Sequence, residues 1–144
     1  MRILALDMGS KTIGVALSDP LGWTAQGLKT VLRRGKESDY KTIVDLVKEW
    51  EVDEILIGLP INMNGTEGPQ AEKVRAFASE LGRHIEVPIT FWDERLSTAG
   101  AERSLLEADL SRERRKEVID KMAAAFILQG YLDQRRQIKK EEIS

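Results

Sequence analysis

Four acids carry the chemistry this sequence has to offer: Asp7, the adjacent pair Asp93-Glu94, and Asp120. Asp7 ends the apolar run Ile3-Leu4-Ala5-Leu6, and a polar turn separates it from a second apolar run, Ile13 to Leu17. That pattern reads as two antiparallel strands with the acid at the mouth of their hairpin. A carboxylate at the end of a buried strand has to be neutralised, hydrogen-bonded or cation-bound, so Asp7 is either a turn-capping acid or an active-site group. Asp93 and Glu94 end another apolar segment, Val87 to Trp92. Asp120 lies in Val118 to Leu128, which is apolar almost all round a helix, and its neighbours three, four and seven residues on are Ala123, Ala124 and Ile127. It therefore faces packing rather than a solvent stripe, although an acid early in a helix is also favoured by the macrodipole alone.

Three acids gathered at one sheet edge repel one another unless a cation sits between them. The chain has no cysteine and a single histidine, His84, which follows Gly82-Arg83 and reads as a surface or structural residue. Zinc is thus poorly served, and Mg²⁺ or Mn²⁺, which take oxygen ligands, fit better. Two such ions about 3.5–4 Å apart can clamp the attacking water and the leaving oxygen of a phosphodiester.

The elements that must position these acids follow from periodicity and punctuation. After the first hairpin a third strand is predicted over Trp23 to Leu32, flanked by Gly22 and Gly35. Ser38 is a plausible N-cap for a helix whose apolar positions run from Tyr40 to Trp50 at a 3.6-residue period. Ile55 to Leu59 is continuously apolar, as a central parallel strand covered on both faces should be. Pro60 and the Asn62-Met63-Asn64-Gly65-Thr66 loop lead to a helix that Pro69 opens and Gly82 closes. Val87 to Trp92 is a fifth strand, followed by a short helix from about Thr98 to Glu107, a basic loop and a last helix from about Lys116 to Asp133. The order predicts an α/β fold: a five-stranded mixed sheet, three antiparallel strands and then parallel ones, with helices on both faces. Sites in such sheets form where strands end and loops diverge, and Asp7 and Asp93-Glu94 both sit at such ends.

At 144 residues the chain is expected to be one domain, spanning 1–144 with a polar tail from about 134. With 42% hydrophobic and 32% charged residues it has an ordinary globular composition, and no apolar run approaches the ~20 residues of a membrane span. There is no basic segment followed by an apolar signal core, so a cytoplasmic location without membrane association is the expectation. The net charge of −2 argues against a uniformly basic coat but leaves three basic clusters: Arg33 to Lys36, Arg112 to Lys116 with Lys121, and Arg135 to Lys140. Arg112, Arg114, Arg115, Lys116 and Lys121 lie before or within a turn of Asp120, where they could track phosphates beside it; otherwise they are a solvated face.

The Leu6-Asp7-Met8-Gly9-Ser10-Lys11-Thr12-Ile13-Gly14-Val15-Ala16 opening, Gly58-Leu59-Pro60 with Asn62 and Gly65-Thr66, Asp93-Glu94-Arg95-Leu96-Ser97-Thr98, and Asp120 with Ala123-Ala124 and Ile127 to Leu132 occur in one order over nearly the whole chain. In these motifs the chain resembles the YqgF family, also called the RuvX or Holliday junction resolvase-like family, whose members have the ribonuclease H fold. The resemblance implies a nuclease acting on structured nucleic acid, either the precursor of small-subunit ribosomal RNA or branched DNA; whether as a monomer or a homodimer, the sequence leaves open. It implies Asp7, Glu94 and Asp120 as metal-binding acids, with Asp93 the other candidate at the β-strand end. It places Lys11, Arg95 and Thr98 near the site, where a cation or hydroxyl could hold phosphate oxygens, and Asn62 and Thr66 in the family's other site loop. Junction resolvases of the wider superfamily carry an acid at the end of the fourth strand, whereas this chain has Gly58-Leu59-Pro60. Asp93 or Glu94 must then supply that ligand, and strand alternation points the two to opposite faces. Two other readings compete. Asp7-x-Gly9 with Gly14 resembles the first phosphate loop of the actin and sugar-kinase superfamily, but a single domain of this length has no second lobe to close on nucleotide. A non-catalytic RNA-binding ribosome-assembly factor would keep the basic clusters and not use the acids.

Overall fold

The computed structural model describes residues 1–96 and 112–143, with backbone alone at 112–119, 139–140 and 142–143. Its strands are β1 (Ile3–Met8), β2 (Thr12–Ser18), β3 (Ala25–Leu32), β4 (Glu54–Leu59) and β5 (Ile89–Asp93). Its helices are α1 (Lys36–Glu49), α2 (Pro69–Leu81) and α3 (Arg112–Ile143), with a 3₁₀ turn over Glu94–Leu96 directly after β5. The strands form one sheet in the order β3-β2-β1-β4-β5. The β1–β2 and β2–β3 pairs are antiparallel, and β1–β4 and β4–β5 are parallel, as the pattern of the sequence predicts.

Strand alternation divides the core into two layers. Leu4, Leu6, Ile13, Val15, Ile55 and Ile57 pack with Tyr40, Ile43 and Leu46 of α1 and Val74, Phe77 and Leu81 of α2. On the other face Ile3, Ala5, Ala16, Leu56 and Trp92 pack with Ala124, Ile127, Leu128 and Leu132 of α3. Small residues in this second layer, Ala5, Ala16 and Ala124 together with Gly14 and Gly27, let α3 lie close to the sheet. A methyl group at Gly14 would run into the Asp120 carbonyl, and one at Gly27 would stand 3.2 Å from Lys121 Cγ.

Several boundaries differ from the sequence reading for visible reasons. β3 starts at Ala25 rather than Trp23, because the Asp19 carboxylate accepts the backbone N–H groups of Trp23 and Thr24 and holds them in a turn. α1 starts at Lys36, with Gly35 at φ 135° before it, so Ser38 lies inside the first turn. The turn before it is fixed by Asp39, a buried acid that accepts from the Arg33 guanidinium and the Arg34 N–H. α3 begins at Arg112, so Arg112 to Lys116 is helix rather than basic loop, and the expected polar tail is helical through Ile143. The short helix expected from Thr98 to Glu107 lies outside the described residues. Among the described residues no helix is long and apolar enough to cross a membrane.

Candidate active site

The site is framed by one row of residues across the sheet. Gly14 of β2 pairs with Asp7 of β1, and Leu6 pairs with Ile57 of β4, so Asp7 stands between Gly14 and Gly58. Asp7 alternates with Leu6 and Met8, which face α1 and α2, and therefore points to the α3 side together with the open faces of both glycines. Each glycine receives another acid. The backbone of Asp120 lies over Gly14, and the Glu94 carboxylate folds back over Gly58, where a Cβ would stand 2.6 Å from Glu94 Oε1. Three carboxylates from β1, the 3₁₀ turn and α3 are thus brought to one face at one end of the sheet, with Asp7 in the middle. All three are half-buried.

Gly58 explains the missing acid at the end of β4. A side chain there would occupy the space that Glu94 fills, so the acid comes from the neighbouring strand end instead. The same arrangement separates Asp93 from Glu94. Asp93 pairs with Leu59, which packs toward α2, and so lies on the opposite face of the sheet. Its carboxylate is engaged by Arg95, with Nη2 at 2.8 Å and Nε at 3.1 Å. That guanidinium contact, despite partial burial, holds the Asp93 carboxyl below its ordinary range, and the partnership raises Arg95 in turn.

Asp120 is oriented by a residue that the sequence reading did not single out. Thr12, the first residue of β2, lies on the α3 face, and its hydroxyl donates to Asp120 Oδ2 at 2.6 Å. The sequence reading named Gly14 in a phosphate-loop pattern and Gly58 at a strand end that lacks an acid, but neither as the point where another acid approaches the sheet. The signal was present, because a glycine inside an otherwise apolar strand marks a close approach of another group. Among the described residues no three acid or imidazole side chains stand as one ready-made cation cage. The three carboxylates share a face and a strand end without being collapsed onto one point.

The remaining expected residues divide. Lys11 is exposed in the β1–β2 turn, with its carbonyl accepting the Arg33 N–H. Asn62 and Thr66 bond to each other, Nδ2 to Oγ1 at 3.1 Å, and Arg95 Nη1 donates to the Asn62 carbonyl at 3.4 Å. Lys121 is half-buried with its stem against Gly27 of β3. Arg112, Arg114, Arg115 and Lys116 lie in the first turns of α3 by backbone alone, and Thr98 lies outside the described residues. Of the basic clusters, Arg33 is structural: it bridges Asp39 at 3.1 Å, donates to the Gly9 carbonyl and lies over the Phe77 ring. His84 is exposed, stacks on Tyr40 and stands 3.6 Å from Glu80, away from the acids.

Comparison with known proteins shows the family of the chain. Residues 1–134 match the family model described as RuvX, Holliday junction resolvase. A protein of Moorella thermoacetica is 61% identical over 133 residues, covering 92% of this chain and 95% of its own. One of Clostridium tetani is 57% identical over 133 residues, covering 92% of this chain and 96% of its own. Both carry the provisional name of pre-16S rRNA nuclease. Among solved structures, Thermus thermophilus RuvC in complex with a Holliday junction substrate superposes with a TM-score of 0.60 at 10% identity, covering 94% of this chain and 96% of that one. The fowlpox virus Holliday junction resolvase does so at 0.53 and 14% identity, covering 93% and 99%. These last two likenesses concern the fold.

Proposed function

The chain belongs to the RuvX family, and from that premise we propose that it is a divalent-metal-dependent endonuclease, of the two-metal-ion type, that matures the precursor of small-subunit ribosomal RNA. The observation that carries the reading is the row Gly14-Asp7-Gly58, which brings Asp120 and Glu94 in over its two glycines. The RNA substrate is favoured over branched DNA by the provisional name shared by relatives with more than half their residues identical.

The donor set fits Mg²⁺ or Mn²⁺. Asp7, Glu94 and Asp120 offer only carboxylate oxygen, the two glycines let Asp120 and Glu94 approach the sheet on either side of Asp7, and the one imidazole stands elsewhere. When bound, such ions supply charge neutralisation and a water acidic enough to attack a phosphodiester. The chain's own residues do the rest. Thr12 fixes the rotamer of Asp120, and Asp7, held rigidly between two strands, keeps its carboxylate at the sheet end. Arg95 is bound to Asp93 on the far side of the strand, so its role here is to hold the turn that carries Glu94. We assign Lys11, which is exposed at the same end of the sheet, and Arg112, Arg114, Arg115, Lys116 and Lys121 to the phosphate contacts.

The test compares matched precursor ribosomal RNA with four-way DNA junctions in Mg²⁺, Mn²⁺, Ca²⁺ and chelator. Cleavage of the RNA is expected with Mg²⁺ or Mn²⁺, little with Ca²⁺ and none in chelator. Full activity in chelator would overturn the metal-dependent reading, and preferential cutting of junctions would move the substrate to DNA.

A further inference from the structure

The third basic cluster, Arg135 to Lys140, takes no part in the site described above. It lies in the last turns of α3, beyond the residues 1–134 that the family model matches. There Arg135 and Arg136 border a cleft of about 240 Å³ whose other walls include Ile3, Leu21, Trp23 and Leu132. Ile3 and Leu132 belong to the layer between the sheet and α3, so the cleft lies on the same face as the three acids, at the opposite end of β1.

Trp23 is fastened by its backbone and displayed by its side chain. Its N–H donates to Asp19 Oδ1 at 2.6 Å, and its carbonyl accepts from Gln129 Nε2 of α3 at 3.4 Å. Gln129 Oε1 in turn accepts the Ala25 N–H at 3.0 Å. The indole is nevertheless 56% exposed and Leu21 near it 78%. The Arg136 guanidinium lies over the indole, 5.5 Å from its ring centroid. Little ordering is lost when an aromatic held in this way meets a further flat group.

The surrounding charge selects that group. The acids at the cleft are engaged, Asp133 by Arg136, Glu54 by Arg135, and Asp19 by the N–H groups of its own loop. From Arg135 to Ile143 the chain carries four basic residues and two acidic ones, although its overall net charge is −2. An aromatic surface rimmed by excess positive charge is complementary to a base that carries its phosphate, and single-strand sites combine these same two features. α3 joins the cleft to the acids. Asp120 and Arg135 are about 22 Å apart along it, the length of a short single-strand track of about 4 nucleotides. Lys121, with its stem against Gly27 of β3, stands on the same flank near the site end.

We propose that this cleft is a second nucleic-acid subsite, in which a base from a single-stranded flank of the substrate RNA stacks on Trp23 while Arg136 meets its phosphate. The proposal rests on the nuclease reading above. An RNA with such a flank is held at two points, and the length of α3 sets how far from the cleaved phosphodiester the strand must be free of pairing. Stacking on an indole reads that a base is unpaired rather than which base it is.

The experiment uses the whole chain in Ca²⁺, to suppress cleavage, with an RNA stem-loop that is blunt or carries a single-stranded tail of about 6 nucleotides at its 5′ or 3′ end. The parent is expected to bind one tailed RNA about tenfold more tightly than the blunt one, with quenching of indole emission. Trp23→Ala should remove this gain and leave blunt binding and melting temperature unchanged. Trp23→Phe should keep most of the gain and lose the quenching. Arg136→Ala should lower the log-log salt slope by about 0.7 for the tailed RNA only. A parent indifferent to both tails, or a Trp23→Ala variant that keeps the gain, would overturn the subsite. So would light scattering that shows a dimeric parent and a monomeric Trp23→Ala, which would make the cleft a contact between two copies. The nuclease reading fails separately: a parent that shows the Trp23-dependent gain yet cleaves nothing in Mg²⁺ or Mn²⁺ retains the subsite and loses the enzyme.

Discussion

At the scale of single residues, the site separates two neighbouring acids by what surrounds them. Glu94 lies over Gly58 on the α3 face, while Asp93 is bound by Arg95 on the other. Asp7→Asn keeps the volume and one acceptor oxygen but removes a charge from the centre of the row. Cleavage should be lost and Mn²⁺ affinity should fall by an order of magnitude or more, with nucleic-acid binding retained; calorimetric titration and gel cleavage assays measure all three. Asp93 gives a pH prediction. Its carboxyl, lowered from 3.8 chiefly by the Arg95 hydrogen bond, contributes stability that is present above its unfolded pKa and lost as pH falls through the folded value. The pair is surface-accessible, so the loss below about pH 4 should be small. In Arg95→Ala the Asp93 pKa should return toward 3.8, and carboxyl carbon chemical shifts across a pH titration would show it.

At the scale of elements, the acids are only as well placed as the approach of α3 and the 3₁₀ turn to the sheet. Gly14→Ala should push α3 off β2, because the obstructing atoms are helix backbone that cannot move alone. A loss of about 1–3 kcal/mol, or failure to fold, is expected, together with loss of activity. Gly58→Ala should behave differently. The nearest atom is the far end of the Glu94 side chain, with Ile127 Cδ1 at 2.9 Å, so Glu94 can swing away. Activity should fall much further than the melting temperature does. Equal losses in the two variants would mean that Gly58 serves packing rather than Glu94.

At the scale of the whole molecule, the two ends of the sheet have separate duties. Far from the acids, buried Glu54 at the start of β4 accepts hydrogen bonds from Thr90 and Tyr131, each at 2.8 Å, and stands 3.5 Å from Arg135. This cluster pins the middle of α3 to β4 and β5 and, through burial and the bond to Glu54, raises the Tyr131 pKa. Tyr131→Phe should cost about 1 kcal/mol in chemical denaturation while leaving the cleavage rate at saturating metal unchanged. A slower rate with unchanged stability would show that this end couples to the site.

The sequence by itself determined what its local pattern could encode. The turn residues and alternation placed β1 and β2 with Asp7 at their junction, the apolar run marked β4 as central, and Pro69 and Gly82 bounded α2 as observed. Apolar wrapping marked α3 as a packed helix, though not its full length, because residues beyond Asp133 are polar and carry no burial signal. Strand alternation stated the choice between Asp93 and Glu94 but not its outcome. That outcome depends on a 3₁₀ turn after β5, on Arg95 taking one carboxylate and on the empty face of Gly58 admitting the other. The Thr12 hydrogen bond to Asp120 joins residues 108 positions apart. Only tertiary structure decides such a contact, because it is set by how closely α3 approaches β2 over Gly14, a distance that no spacing along the chain encodes.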